Sequence, residues 1–369
     1  MKIFFPLEVY YPSQGGGTAN IVYWIAKNLV KHGYEPTVVA TDKGIQPGVP
    51  LNRWIRNEAG SVIYVKTRRL NFPLRQLMVS LSSFYRSDII QMSSFFFPTA
   101  FLTAFAARLL KKKMVWSPQG ELDGAAFRHS MARKRPVLWS IKNFVGKYPT
   151  FHSTCEEESE YIRNVFGRDA KIVQIPNYVA VPNPVERKAE DYLLYLGRIH
   201  PKKAIDNLID AVAQSQEFMT SNFVLKVAGA GKKEFEDELR QKVDDLNLSS
   251  KVKFVGQFEG EEKEHIYANA YWTIMPSHTE NFGIVVPESL AQSTPVIASK
   301  GTPWACLEDE KVGFWIENDP QTLANKIDEI LTMPASEYEQ YRQRCRGFVE
   351  REFDIDQNID KWIDLYEGL

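Results

Sequence analysis

The chain is poor in cysteine, carries almost no net charge and has no long hydrophobic run. Its three cysteines, Cys155, Cys306 and Cys345, are odd in number and far apart. That excludes a disulfide framework, matches no zinc-site spacing and fits a reducing compartment. No nucleophile motif surrounds Cys155, which reads as a buried thiol. The longest apolar run, residues 95–110, is broken by Pro98 and two threonines and ends in Arg108 and Lys111 to Lys113. A membrane-spanning helix needs about 20 apolar residues, so none is expected. Met1 to Phe5 is too brief for the apolar core of a signal peptide, and no export signal is expected. There is no GxGxxG, no GK[ST] and no cluster of metal ligands.

What is present begins with a hidden charge asymmetry. The net charge is −1. Residues 1–180 hold 24 Lys and Arg against 12 Asp and Glu, a balance of +12, and residues 181–369 hold 21 against 34, a balance of −13. A basic half can attract anionic lipid headgroups, a lipid diphosphate or nucleic acid, or be an ordinary solvated surface. No nucleic-acid recognition motif accompanies it, and a nucleic-acid partner is not expected.

A length of 369 residues exceeds one ordinary core and predicts two domains. In the first half, a strand over 1–6 meets the loop YPSQGGGTA, a helix over about 20–32 stops at Gly33, and a strand resumes over 36–40. Residues 41–75, basic through Arg53, Arg56, Lys66, Arg68, Arg69 and Arg75, read as partly looped. A helix over 74–85, strands over 88–92 and 114–117, a strand over 151–155, a helix over 156–166 and a strand over 172–176 follow. The run VAVPNPVERKAED reads as a linker. The second half repeats the alternation: strands over 192–195, 223–227, 252–255 and 271–275, with helices through 209 and over 234–246. Closing helices are expected over 318–332 and 335–351. The domains are therefore expected at 1–176 and 190–352. The tail, 353–369, is amphipathic, with Trp362, Ile363 and Tyr366 on one side and Ile359 left out.

The stretch that organises the chain runs from Pro276 to Gly301. A strand ends in a turn carrying Glu280, Asn281, Phe282 and Gly283, a helix is expected to open near Pro287 and Glu288, and a second apolar, strand-like run over 295–298 follows it. Glycine permits close backbone approach, a helix start presents free N–H groups to an anion, and carboxylates accept hydrogen bonds from sugar hydroxyls. Strand, glycine turn and helix start form the usual ligand crevice of an open α/β sheet. Glu288 alone reads equally as a first-turn acid suited to the helix dipole.

Glu280 and Glu288, with seven residues between them inside ENFGIVVPESLAQSTPVIAS, resemble the E-x7-E signature of retaining GT-B glycosyltransferases of family 4, the bacterial capsule, O-antigen and exopolysaccharide type. The resemblance implies an α/β fold of two Rossmann-like domains facing across a cleft. The N-terminal domain would be the acceptor side, with the tail packing back on it, and the C-terminal domain would bind the nucleotide sugar. It implies that Glu280 meets the donor sugar, that Glu288 holds the ribose, and that Asn281, Phe282 and Gly283 line sugar and phosphate through their backbone. Gly197-Arg198 to Lys203-Ala204 resembles the family's GR…KG segment, with alanine in place of the last glycine, and implies that Arg198 and Lys203 clamp the donor diphosphate. Cations at a helix start oppose the dipole, so an anionic partner explains them better than solvation does. Gly16 and Gly17 match the loop that approaches the donor phosphates. Gly229, Gly231 and Gln257 match turns that cradle the nucleotide.

Two positions depart from the pattern or leave it open. Gln119 stands where related enzymes carry histidine before glycine; it can bond a hydroxyl but cannot carry a proton at neutral pH. Trp304 either stacks on acceptor sugar or packs internally. Glu158 reads as a helix-start acid rather than a sugar ligand, and His129 as a surface or capping residue.

Together the resemblance implies transfer of a hexosyl group from a nucleotide-diphosphate sugar, UDP in preference to GDP, to a hydroxyl of a glycan or lipid-diphosphate-linked glycan in envelope polysaccharide synthesis, including lipopolysaccharide. No cofactor or metal is expected. A cytoplasmic location at the inner membrane face, with peripheral contact through the basic half, follows from the same reading. The rivals are an epimerase or phosphorylase on the same fold, and a non-catalytic partner that binds sugar nucleotide or lipid.

Overall fold

The computed structural model describes the chain except residues 14–16, 68–72 and 123–130, and except the side chains of 131–133. Gly16, Arg68, Arg69 and His129 therefore lie outside the described residues. The chain divides into two units, Met1–Ala180 with Ile355–Leu369, and Val181–Asp354. Among the described residues no helix is long and apolar enough to cross a membrane.

The first unit is built on β1 (Lys2–Leu7), β2 (Glu35–Thr41), β3 (Trp54–Asn57), β4 (Gly60–Val65), β5 (Ile89–Ser93), β6 (Lys113–Ser117), β7 (Thr150–Ser153) and β8 (Ile172–Gln174). Their order is β3-β4-β2-β1-β5-β6-β7-β8. Every pairing is parallel except β3 with β4. A parallel sheet is covered on both faces, so its strands are near-continuous apolar runs; β1 exposes only Lys2. One face packs against the helix Gly17–Lys31 and the C-terminal tail. The other packs against the helices Leu74–Arg86, Ala100–Leu109, Met131–Phe144 and Glu156–Phe166.

Three expectations are corrected here. The stretch 41–75, read as partly looped, contains the β3–β4 hairpin; β3 is an edge strand with only one half-buried side chain, so it carries no apolar alternation to read. The first helix opens at Gly17, ahead of residue 20. The tail is two helices, Ile355–Asn358 and Asp360–Glu367. The break between them rotates Ile359 into the core, buried with Trp362, Leu365 and Tyr366, while Ile363 is only partly covered.

The second unit is built on β9 (Tyr192–Leu196), β10 (Val224–Ala228), β11 (Val252–Gly256), β12 (Trp272–Met275), β13 (Val296–Ser299) and β14 (Gly313–Ile316), all parallel, in the order β11-β10-β9-β12-β13-β14. Two half-sheets thus run outward from the β9–β12 junction, the doubly wound arrangement whose ligand crevice lies at that reversal, at the carboxyl ends of the strands. The strand β14 is an addition to those expected. The segment read as a linker is tied down: the Val185 N–H donates to Gln292 Oε1 at 3.1 Å, the Lys188 N–H to Asn269 Oδ1 at 2.7 Å, and Arg346 donates to the Pro182 carbonyl at 3.0 Å. Phe353 ends the helix Ala335–Phe353 and packs on Phe282 and Trp304, so it stays with the second unit rather than opening the tail.

Candidate active site

The loops that leave β9, β10 and β12 are laced together at the sheet reversal. The N–H groups of Gly197 and Ile199 donate to the carbonyls of Ala228 and Ala230 at 3.0 and 2.9 Å. This leaves no room for a side chain at Gly229, where a Cβ would lie 1.8 Å from the Gly197 oxygen, or at Gly231, where it would lie 2.0 Å from that of Ile199. Those glycines hold two loops in contact; the nucleotide role implied for them is a separate matter. On the other side the His278 N–H donates to the Lys202 carbonyl and the Glu280 N–H to that of Gly301, each at 2.9 Å.

Between these loops Lys203 pairs with Glu280, and Ser277 Oγ donates to the same carboxylate oxygen at 2.7 Å. Only 20% of the Lys203 side chain and 12% of the Glu280 side chain are exposed. His200 caps the short turn Pro201–Lys203, its Nδ1 accepting from the Lys202 N–H. Its pKa is lowered by burial first, and then by Arg198, Lys202, Lys203 and Lys232, so four cations crowd one imidazole. Arg198 itself is exposed, and Tyr195 donates to its carbonyl at 3.0 Å. Ala204, in the family's glycine position, is buried and takes φ +49. A left-handed backbone is where glycine carries no Cβ penalty, so the departure is in residue, not in backbone.

Glu288 sits in the helix Val285–Ala291, which opens at Val285 and not at Pro287. Its carboxylate is not spent on a cap. Lys263 donates to one oxygen at 2.6 Å and Tyr267 to the other at 3.1 Å. Burial pulls the Lys263 pKa down, but the charge and hydrogen bond of Glu288, with the charges of Glu264 and Glu259, outweigh it and the net shift is upward. Burial, then Glu288, raises Tyr267 well above the ordinary phenol range. Tyr267 also feels Tyr195, which in turn feels Glu280 and Arg198. Lys263, Tyr267 and Ser277 carry no motif of their own in the sequence; helical position and tertiary packing bring them in.

The turn between the acids is fixed by packing. Gly283 has φ +79, and a Cβ there would meet Met275 Sδ at 2.7 Å. Phe282 is buried against Trp304, whose indole N–H donates to the Phe282 carbonyl. Trp304 is 1% exposed and packs internally in this structure. Asn281 is half-buried in the same turn, and Gln257 is exposed just past β11.

In the first unit Gly17 opens its helix and Gln119 takes φ +53 before Gly120 at φ +77. Glu158 is buried, and its carboxylate accepts from the N–H of Gly120 at 2.6 Å and from Thr154 N–H and Oγ at 2.8 and 2.9 Å. It therefore braces the Gln119–Gly120 turn, a part that goes beyond the helix-start role expected of it.

The family model described as Glycosyl transferases group 1 matches residues 181–347, and that described as Glycosyl transferase 4-like domain matches residues 16–178. O-antigen chain mannosyltransferase C of Escherichia coli is 23% identical over 388 residues, which span 100% of this chain and 99% of the relative. O-antigen chain mannosyltransferase RfbU of Salmonella typhimurium is 32% identical over 130 residues, 35% of each chain. The crystal structure of Anabaena HepE in complex with UDP matches with a TM-score of 0.78 over 100% of both chains at 17% identity, a likeness of fold. With one glycosyltransferase model on each unit and the doubly wound sheets described above, the chain belongs to the GT-B glycosyltransferases of family 4 type and is a hexosyltransferase.

Proposed function

We propose that the enzyme transfers a sugar from a nucleotide-diphosphate donor, with retention, to a hydroxyl of a glycan or lipid-linked glycan in O-antigen-type polysaccharide synthesis. The observation that carries this reading is the Lys203–Glu280–Ser277 cluster at the β9–β12 reversal, with the Lys263–Tyr267–Glu288 cluster on the helix that follows. The two O-antigen mannosyltransferases among the relatives support the polysaccharide context. Arg198 and Lys203 bind the diphosphate, Glu280 the donor sugar, Glu288 the ribose, and the backbone of residues 281–283 the sugar and phosphate. The backbones at Gly229 and Gly231, together with Gln257, complete the donor's surroundings in the second unit.

In the step itself the acceptor oxygen bonds to the anomeric carbon as that carbon's bond to the diphosphate oxygen breaks. The acceptor proton passes to the departing diphosphate on the same face. Catalysis then rests on orientation and on cations aimed at the charge that develops as the diphosphate leaves. The preferred donor is a UDP-sugar, in line with the UDP held by HepE.

The test is transfer to lipid-linked glycans from a panel of UDP- and GDP-sugars, with the anomeric configuration of the product read by NMR. Glu280→Gln is expected to lower kcat roughly 10²–10³-fold. Unchanged transfer in that variant, or an inverted product, would overturn the reading. Turnover of donor without acceptor would point instead to an epimerase or phosphorylase.

A further inference from the structure

On one face of the first sheet Phe4, Val39 and Ile63 are buried in a core that Phe84 of the helix Leu74–Arg86 joins. Side chains repeat every two residues along a strand. The next positions on that face, towards the amino ends of β1, β2 and β4, are therefore Lys2, Thr37 and Ser61, with Glu35 beyond Thr37. Apolar packing ends there and a polar floor begins. The end of the helix changes with it, bringing Ser82, Ser83 and Arg86 against that floor. Trp54 pairs with Ile63 across the β3–β4 hairpin. Directly opposed residues share a face, so the indole stands as a side wall, and it is 48% exposed. Together these residues line a hollow of about 290 Å³.

The groups around the hollow are unspent. Among the described residues, the side chains of Glu35, Trp54, Ser61, Ser82 and Arg86 make no hydrogen bond or ion pair within the protein. The hollow also lies away from the usual place for a ligand in this kind of sheet. It sits at the amino ends of β1, β2 and β4, whereas open α/β sheets bind ligands beyond the carboxyl ends of their strands, the end at which the Gln119–Gly120 turn leaves β6.

We propose that this hollow is a carbohydrate-binding site for one neutral hexopyranose ring of a glycan. A pyranose presents a C–H face and a rim of hydroxyls. The indole offers that face a flat apolar surface with a polar edge. The Glu35 carboxylate only accepts hydrogen bonds, the Arg86 guanidinium only donates them, and the serine and threonine hydroxyls do both. The hydroxyl rim thus meets every type of partner. A carboxylate in the wall repels phosphate and carboxylate ligands, which favours a neutral sugar over a nucleotide. The volume, near the lower end of the roughly 300–1,000 Å³ of small-molecule sites, suits one ring. The sugar is bound there without turnover, so the site goes beyond the transferase reading and is tested without it.

The test is NMR titration of the isotope-labelled full-length protein with the methyl α-glycosides of mannose, glucose and N-acetylglucosamine, read at the indole N–H resonance that Trp54→Phe removes. A saturable shift with at least one glycoside is expected. It should persist with UDP in excess and in Glu280→Gln, which separates this test from the catalytic one. Trp54→Ala, followed by saturation transfer to the sugar protons, is expected to weaken binding at least roughly tenfold. Arg86→Gln is expected to weaken it roughly three- to tenfold, and carries the test if the tryptophan change lowers the melting temperature. No shift with any of the three glycosides, or unchanged affinity in Arg86→Gln and Trp54→Ala, would overturn the proposal. An equal shift with inorganic phosphate or UMP would also overturn it, assigning the hollow to an anion.

Discussion

At the residue scale, each acid of the E-x7-E pair is held by a cation and a hydroxyl. Glu280 has Lys203 and Ser277, and Glu288 has Lys263 and Tyr267. Lys263 is the residue with the least sequence signal and a clear consequence. Removing its ammonium leaves a partly buried carboxylate with one partner fewer, and the orientation of Glu288 loosens. Lys263→Met is expected to raise the donor KM roughly tenfold, with a smaller change in kcat, as for a lost binding contact. Steady-state kinetics with varied donor decide it; an unchanged KM would detach Lys263 from donor binding. Trp304 teaches the opposite lesson. A tryptophan beside a predicted site invites a stacking role, yet its ring is enclosed by Phe282 and Phe353 and its N–H is used on a carbonyl.

At the scale of elements, the loops that carry the site are positioned by glycines acting as spacers. At Gly301 a Cβ would lie 2.1 Å from the His278 carbonyl oxygen, and the Gly301 carbonyl receives the Glu280 N–H. Gly301→Ala must push that loop, and is expected to destabilise the protein by about 3 kcal/mol and to depress transfer. Gly347 lies inside the helix Ala335–Phe353, and a Cβ there would meet nothing within 4 Å. Gly347→Ala is expected to stabilise by about 0.5–1 kcal/mol and leave transfer unchanged. Denaturant midpoints for the two variants check the contrast; equal effects would remove the spacer argument. Most of the regular elements around the site were readable because parallel strands are apolar runs bounded by glycine and proline. The β3–β4 hairpin escaped because Trp54 and its neighbours lie at an exposed edge.

At the scale of the whole molecule, the chain leaves the first unit at Ala180 and returns to it at Ile355. The returning segment buries Ile355, Ile359, Trp362, Leu365 and Tyr366 in the first unit's core. At about 1.5–3 kcal/mol for each large apolar side chain, their sum rivals a domain's net stability of about 5–15 kcal/mol. Truncation after Asp354 is therefore expected to unfold the first unit while leaving the second folded. Limited proteolysis that releases a stable fragment close to residues 181–354 would match this; two folded units in the truncated protein would contradict it.

Local chemistry made the family, the alternation of strand and helix, and the candidate site residues Arg198, Lys203, Glu280 and Glu288 readable from the order of amino acids, because each belongs to a short motif whose meaning lies in near neighbours. Contacts between distant segments could not be read that way. The pairing of Glu288 with Lys263, the bracing of Gln119–Gly120 by Glu158 and the burial of Ile359 all depend on which surfaces the packed sheets bring together. A hydrogen bond or a buried face across 25 or more residues has no periodicity to announce it, and only the folded chain chooses the partner.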